Sequence, residues 1–410
     1  MKALPRLRHN LDLMPSPVAD RPGLLVRDPY GYADGVLIIP PPLVPCLLCF
    51  DGEKTEGDLR EALVRITGEL EVGELLRHLT TTLDEGGFLD NAALERRRAS
   101  RHQAFAEAPR RVPSHAGAAY PAEGEALRRQ LDAWIGPEPT PAARPGDGLV
   151  GIAAPHVSPE GGHRSFAAAY AALPPSVGDR TFVILGTSHY GVPGRFGLTR
   201  KRFATPLGDA EVDAALVGRL ADSGGAALVE DYCHAVEHSI EFQVVFLQHR
   251  FTPGVRIVPI LCGPFAPDAG APDADEAVAA FFEALAAEAA SRRDLVFVLG
   301  VDMAHVGRRY GDRIEARAGK GAMVEVERRD RERLERVAAA DADGFWRLLA
   351  DGEGDALRWC GASPLYTFLR VARPARGELL RYEQWNIDET SVVSFAGMAF
   401  YGDPAGKEVR

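Results

Sequence analysis

The chain has 410 residues, of which 46% are hydrophobic and 26% are charged, and its formal net charge at pH 7 is −11. These values are typical of a folded protein with a large core, and the acidic balance argues against nucleic acid as a partner, because phosphate binding needs a surplus of Lys and Arg. No apolar run approaches the roughly 20 residues that cross a bilayer, and no apolar leader segment follows Met1, so we expect a cytoplasmic protein without membrane association.

Residues 1–100 are predicted to form a small winged-helix-like domain. Short β-like runs lie within 24–39, an apolar helix is predicted over 43–50, and a second helix is expected to begin after Thr55. The apolar spacing over 72–83 predicts a third helix, which is followed by a glycine turn and a short strand. The segment resembles the PqqD-like peptide-recognition modules, in which a sheet edge and a helix groove capture a peptide by strand addition.

An arginine-rich stretch without apolar periodicity follows, at 96–111. We interpret 101–111 as a basic linker between two domains, and a basic patch for a partner remains the alternative. Farther along, four prolines and three glycines within 136–148 predict a loop.

From residue 149 onward, apolar strands alternate with helices, which predicts an α/β sandwich around a largely buried sheet over 112–405. The last two strands alternate in polarity, as an antiparallel pair does. The strands are predicted at 149–154, 181–186, 256–262, 295–300, 378–386 and 392–401, and the helices at 165–173, 240–251 and 275–290.

Three of the predicted strands lead directly into histidine. His156, His189 and His305 each follow such a strand, although the chain holds 11 histidines in all. Ligands of open α/β sheets bind beyond the carboxyl ends of the strands. The pattern therefore predicts a metal or acid–base site at this edge of the sheet.

A further polar cluster runs from His234 to Glu241, at the start of a predicted helix. One interpretation is helix capping, with carboxylates near the positive end of the helix dipole. The other is that the cluster forms a polar wall of the same pocket, with Glu241 or His238 behind the ligands. The sequence leaves both open.

Five cysteines in 410 residues do not suit a disulfide framework, so each needs its own interpretation. Cys46, Cys49 and Cys262 lie in apolar segments and are interpreted as core packing, and Cys233 stays ambiguous. Cys360 precedes a predicted helix, where a thiol has a lowered pKa and can bind metal as thiolate. Common metal motifs such as His-Glu-x-x-His are absent from the sequence.

The motifs together resemble the Memo family, called AmmeMemoRadiSam system protein B in bacteria and archaea, over about residues 112–402. They occur in the family's order: Ser114-His115-Ala116-Gly117 with Tyr120-Pro121, Ala154-Pro155-His156, Gly186-Thr187-Ser188-His189, Ala204-Thr205-Pro206-Leu207-Gly208, Glu237-His238-Ser239-Ile240-Glu241, Asp302 to His305 with Gly307, and Cys360-Gly361.

The resemblance implies a fold similar to the class III extradiol dioxygenases of the LigB type, which are non-haem iron proteins. It implies that His156, His189 and Cys360 hold a metal, with Fe(II) as the first expectation and copper as the second. Asp302 and His305 match the position at which the dioxygenase relatives keep an acid–base histidine. We expect Glu241 and His238 to line the same pocket.

The chain departs from the family pattern at the pocket wall. Residues 157–163 replace the usual Gly-Tyr and Tyr-Ser-Gly, Ala119 replaces a Trp, and Tyr190 replaces the second His of Ser-His-His. Cys360 stands where the dioxygenases have a carboxylate. Because thiolate is the softer ligand, it favours copper(I) or tunes iron differently.

Two classes of function follow. The first is a metal-dependent redox enzyme, an oxidoreductase of dioxygenase-like fold acting on an unidentified small molecule or peptide, with His305 as general acid–base group supported by Asp302. The second is a non-catalytic scaffold that binds a peptide or protein, which the N-terminal module favours. The family name also implies work within a modification system that includes a radical SAM protein.

Overall fold

A computed structural model describes residues 3–16, 18, 20–136, 148–251, 254–350 and 355–402. The chain divides into two compact units, Met1–Glu107 and Ala108–Arg410. The loop predicted at 136–148 lies outside the described residues except for its two ends.

The N-terminal unit combines a small antiparallel sheet with three α-helices around an apolar core. Its elements are β1 Arg6–Leu7, β2 Asp12–Pro15, β3 Leu24–Arg27, β4 Val36–Ile39, α1 Glu56–Thr67, α2 Gly73–Glu85, β5 Leu89–Asp90 and α3 Ala92–Glu107. Strands β2, β3 and β4 form the sheet, and β1 pairs with β5.

Two details of this unit follow from local chemistry. Thr55 caps α1 in a capping box with Asp58, which confirms the predicted helix start. The helix predicted at 43–50 is instead a 3-10 helix, Pro41–Cys49. Its prolines lack the backbone N–H that an α-helix needs, which explains the difference. Cys46 and Cys49 are buried in the core there.

The arginine-rich stretch is largely helical. Helix α3 continues to Glu107, and Arg97 and Arg101 reach back to Asp34 at 2.7 and 2.9 Å. These ion pairs contribute to holding a helix that lacks apolar periodicity. Beyond it, strand β6 (Arg110–Arg111) belongs to the second unit.

The second unit is the predicted α/β sandwich. After β6 its elements are α4 Gly124–Ile135, β7 Leu149–Ala154, α5 Pro159–Ala171, β8 Thr181–Thr187, β9 Phe196–Leu198, β10 Arg202–Thr205, β11 Gly208–Val212, α6 Ala214–Ala221, β12 Ala227–Val229, α7 Cys233–Val236, α8 Ser239–Arg250, β13 Arg256–Cys262, α9 Glu276–Ser291, β14 Leu295–Gly300, β15 His305–Gly307, α10 Ala322–Ala338, α11 Ala342–Leu349, α12 Ala362–Ala372, β16 Arg376–Asp388 and β17 Ser391–Tyr401.

A parallel core of four strands in the order β7-β14-β8-β13 forms the middle of the mixed sheet. Strand β17 pairs antiparallel with β7 and with β16, so the predicted closing pair is confirmed. In register, Gly300 lies beside both Ala154 and Gly186. The carboxyl ends of the core strands therefore meet at one edge of the sheet.

Alternate residues of each core strand point to opposite faces of the sheet. Phe182 and Ile184 of β8 pack into one apolar cluster, with residues of α5 and α8, whereas Val183 and Leu185 pack into the other, with residues of α9 and α12. Helices thus cover both faces, which explains the continuous apolar runs of the core strands. No helix in the described part of the chain combines the length and apolar character that a membrane span requires.

Candidate metal centre

Three side chains predicted as metal ligands meet at the carboxyl edge of the sheet. His156 follows β7, His189 follows β8, and Cys360 lies just before α12. One nitrogen of each imidazole and the sulfur of Cys360 all lie within 4.8 Å of one another. The structure therefore brings together the predicted set, from parts of the chain that are far apart in sequence.

A hydrogen bond to the backbone fixes the ring of His156. Its Nδ1 lies 2.9 Å from the carbonyl oxygen of Gly300, which can only accept a hydrogen bond, so Nδ1 carries the proton. The Nε2 atom faces Sγ of Cys360 at 3.3 Å. When Nε2 gives up its proton, its lone pair points into the cluster, and this neutral form of histidine is the one that binds metals.

Glu237 orients two further rings at once. Its Oε1 lies 3.0 Å from Nδ1 of His189 and 3.0 Å from Nδ1 of His238. The carboxylate also accepts the backbone N–H groups of both histidines at 2.9 Å. The two rings are stacked with centroids 5.0 Å apart, and each meets the ring of His156 edge-on. Because Nδ1 of each ring faces Glu237, Nε2 is the nitrogen left for another partner.

The cluster polarises the thiol of Cys360. Burial alone would raise the pKa of Cys360, but the neighbouring His156, His305 and His189 lower it to about 5. Burial likewise opposes the charged form of His156, yet Asp302 and Cys360 raise the pKa of that ring to about 9. Without a metal, these pKa directions favour a protonated His156 beside the thiolate of Cys360, and a cation could replace that proton.

His238 differs from its neighbours. Burial and the nearby rings of His189 and His156 lower its pKa to about 4, against the opposing effect of Glu237. Its ring centroid lies 5.3 Å from that of His156. His238 therefore lines the centre as a neutral imidazole, in the pocket position that the sequence predicted for it.

The structure assigns Asp302 to a different neighbour than predicted. Its carboxylate accepts the backbone N–H of His156 at 3.0 Å and lies 3.6 Å from Nε2 of that ring. His305 instead donates from Nδ1 to the carbonyl of Met303 at 2.9 Å, and its ring meets Tyr310 edge-on. In the described contacts, Asp302 thus supports a predicted ligand rather than the acid–base histidine.

Glu241 is fully buried beside the centre and not in its open wall. It forms an ion pair with Arg111 and accepts a hydrogen bond from the hydroxyl of Tyr120. It also accepts the backbone N–H groups of Ser114 and His115, each at 3.0 Å. Burial alone would raise the pKa of Glu241, but Arg111 and His115 hold it below its usual range.

Glu237 combines features of both interpretations of the 234–241 cluster. Glu237 accepts the N–H of Ser239, at the start of α8, at 3.4 Å, while it also holds the histidine rings of the pocket. His115 reaches the centre as well, with its ring 5.4 Å from that of His238.

Sequence reasoning did not assign a role to Arg111, and it treated Glu237 only as part of the helix start. Arg111 bonds to the carbonyls of His234 and Glu237, more than 120 residues away. It lay within the predicted linker, and nothing local marks such a distant partner. His115 belongs to one of the motifs that carry the family resemblance, and that motif was the signal in the sequence for a position near the centre.

Comparisons with known proteins bear on the family of the chain. The family model described as "Memo-like protein" matches residues 111–399. A "MEMO1 family protein" of Aquifex aeolicus is 28% identical over 383 residues, covering 92% of this chain and 96% of that protein. One of Methanopyrus kandleri is 29% identical over 303 residues, covering 71% and 98%. A solved structure of an uncharacterized Escherichia coli K12 protein covers 58% of this chain at 14% identity, but its TM-score of 0.36 is too low to argue from.

Proposed function

Because the chain belongs to the Memo-like protein family, we propose that it is a metal-binding redox protein whose ion is held by His156, His189 and Cys360. The observation that supports this proposal is the close approach of two imidazole nitrogens and one sulfur, within 4.8 Å of one another. A donor set of two imidazoles and a thiolate suits iron and copper. We propose Fe(II) first, with copper as the alternative.

The residues around the donors are arranged to favour such a cation. Gly300 and Glu237 accept the Nδ1 protons of the two rings, so that both Nε2 lone pairs face the cluster. Bonds of this kind fix the tautomer and make the ligand more basic. Cys360 contributes a thiolate, since its pKa is lowered to about 5.

A bound iron or copper ion would supply one-electron redox chemistry. Around it, His305 and His238 are the groups we propose for proton exchange with a substrate, because both imidazoles lie partly exposed at the cluster. Asp302 would act by holding the His156 backbone and ring in place.

Elemental analysis of anaerobically purified protein tests the proposal. We expect close to one iron or copper ion per chain, and loss of most of it in His189→Ala. His163→Ala is the matched control, because His163 bonds to the Glu160 carbonyl and stacks on Trp134, outside the three-donor cluster. If wild type takes up neither ion even after reconstitution, or His189→Ala retains as much as wild type, the proposed function is wrong.

A further inference from the structure

A buried carboxylate lies behind the centre, on helix α10. Asp330 is fully buried, and it accepts hydrogen bonds from Trp359 Nε1 at 2.7 Å, Ser394 Oγ at 2.6 Å and Tyr382 OH at 2.8 Å. Burying a carboxylate is costly unless such donors surround it. One of these donors, Trp359, directly precedes Cys360, and another, Ser394, bonds to the loop that carries Asp302 and His305.

The first segment is the loop that presents Cys360. Trp359 precedes Cys360 directly, and its ring is covered by the guanidinium of Arg333 at 5.3 Å, one turn after Asp330 on α10. Arg333 also pairs with Asp355 at 2.8 Å, and Asp355 accepts the backbone N–H of Trp359 at 2.7 Å. Side chains of helix α10 therefore hold the loop before the thiol in two ways. They contact the ring of Trp359 directly, and they reach its backbone N–H through Asp355.

The second segment is the loop from Asp302 to His305. Ser394 Oγ, which donates to Asp330, accepts the backbone N–H of Ala304 at 2.9 Å. The backbone N–H of Ser394 in turn donates to the carbonyl of Ala304 at 3.0 Å. The position of this loop thus depends on a serine hydroxyl whose own proton is held by Asp330.

The two loops also bond directly to each other. The N–H of Gly361 donates to the carbonyl of Asp302 at 2.9 Å, and the N–H of His305 donates to the carbonyl of Leu357 at 3.0 Å. Arg358 donates to the carbonyl of His305 at 2.8 and 3.1 Å. A displacement of one loop would therefore be transmitted to the other.

We propose that Asp330 is a positioning residue that sets Cys360 relative to His156 and His305 by anchoring both loops. This inference rests on the proposed metal function, which gives the position of the thiolate its purpose. A carboxylate suits the place because its two oxygens accept several converging donors, whereas an amide offers one acceptor oxygen. Removing it leaves the indole N–H and two hydroxyls without their buried acceptor.

The test compares Asp330→Ala, Trp359→Phe and the control Val337→Ala, which trims a buried apolar side chain of the same helix. Co(II) serves as the metal probe, read by its dissociation constant and by its thiolate-to-cobalt absorption band. Hydrogen exchange in peptides spanning 302–307 and 355–361 is measured on the metal-free proteins.

We expect Asp330→Ala to weaken Co(II) binding about tenfold or more, to alter the absorption band and to speed exchange in both peptides. Val337→Ala should lower the thermal midpoint of unfolding and leave Co(II) affinity, the absorption band and hydrogen exchange in the two peptides unchanged. If Asp330→Ala does not fold, Trp359→Phe decides, because it removes the indole N–H donor and keeps an aromatic side chain in that place. The inference is overturned if the folded Asp330 and Trp359 variants show the same cobalt absorption band and the same hydrogen-exchange rates as Val337→Ala. Failure of wild type to bind Co(II) would count against the metal function, while exchange would still test Asp330.

Discussion

The sulfur of Cys360 lies 3.3 Å from Nε2 of His156, although 204 residues separate them in the chain. The sheet register makes this approach possible, because Gly300 lies beside Ala154 and the Asp302 carbonyl then accepts the N–H of Gly361. Thr187 Oγ1, at the end of β8, also donates to the carbonyl of Cys360 at 3.2 Å. The thiolate is thus tied to the ends of the same strands that carry the histidines.

Replacing Cys360 with Ser should weaken metal binding strongly. The hydroxyl keeps the shape but does not ionise near neutral pH, so we expect roughly 100-fold weaker Co(II) binding, about 2.7 kcal/mol. Competition titration measures the change. Cys233→Ser is the control, since Cys233 lies outside the three-donor cluster and burial with nearby Asp231 raises the pKa of its thiol. Equal affinity of the two variants would contradict the assignment of Cys360.

Glu237→Gln should disturb two imidazoles with one substitution. The amide presents one acceptor oxygen where the carboxylate now accepts Nδ1 of both His189 and His238, so we expect about 10- to 100-fold weaker metal binding with the fold retained. Isothermal titration with Co(II) measures this. Glu230→Gln is the matched control, because Glu230 pairs with Lys201 and Thr199 instead. The role of Glu237 is refuted if both variants bind the ion equally well.

The Arg111–Glu241 pair should dominate the stability of its region. Replacing Arg111 with Leu leaves Glu241 as a buried charge, and we expect a loss of about 3–5 kcal/mol in the free energy of unfolding. Its neighbour Arg110 is exposed and lies 3.6 Å from Asp209, so Arg110→Leu should cost less than about 1 kcal/mol. Urea denaturation followed by tryptophan fluorescence measures both. Similar losses in the two variants would show that burial of the pair is not decisive.

Acid should destabilise the N-terminal unit through Asp28. Burial alone would raise the pKa of this carboxyl, but Arg8, at 2.8 Å, and the N–H groups of Ala33 and Tyr30 lower it overall. Because the folded pKa lies below the unfolded value of about 3.9, the stabilisation is complete well above that value. It is lost as the pH falls through the folded pKa.

Asp28→Asn measures this contribution. At pH 7 we expect it to lower the stability of the unit by about 3 kcal/mol, because Arg8 then stays buried without its charge partner. Urea titrations followed by the amide NMR signals of Leu24–Arg27 report on this unit, and the difference from wild type should shrink from pH 6 towards pH 3. A difference that stays constant over this range would rule out the ionised carboxylate as its source.

Much of the fold could be predicted because the core strands are continuous apolar runs. The strands at 149–154, 256–262 and 295–300 have their predicted bounds. A strand that is buried on both faces is apolar along its whole length, so the ends of the apolar run predict the ends of the strand. Helix bounds were less accurate, as at α5, which begins at Pro159 instead of residue 165. Its first turn is rich in glycine and polar residues, which hide the helical period.

The sequence by itself determined the family, the sandwich architecture and the residues proposed as metal donors, because residue types and their order along the strands are local properties. Only the tertiary structure decided how the carboxylates are shared: Glu237 between His189 and His238, Glu241 with Arg111, and Asp302 with His156. The physical reason is that three of these four pairings, all except the one between the neighbours Glu237 and His238, join residues more than 40 positions apart. Such pairings depend on strand register, and no local pattern distinguishes one buried carboxylate from another.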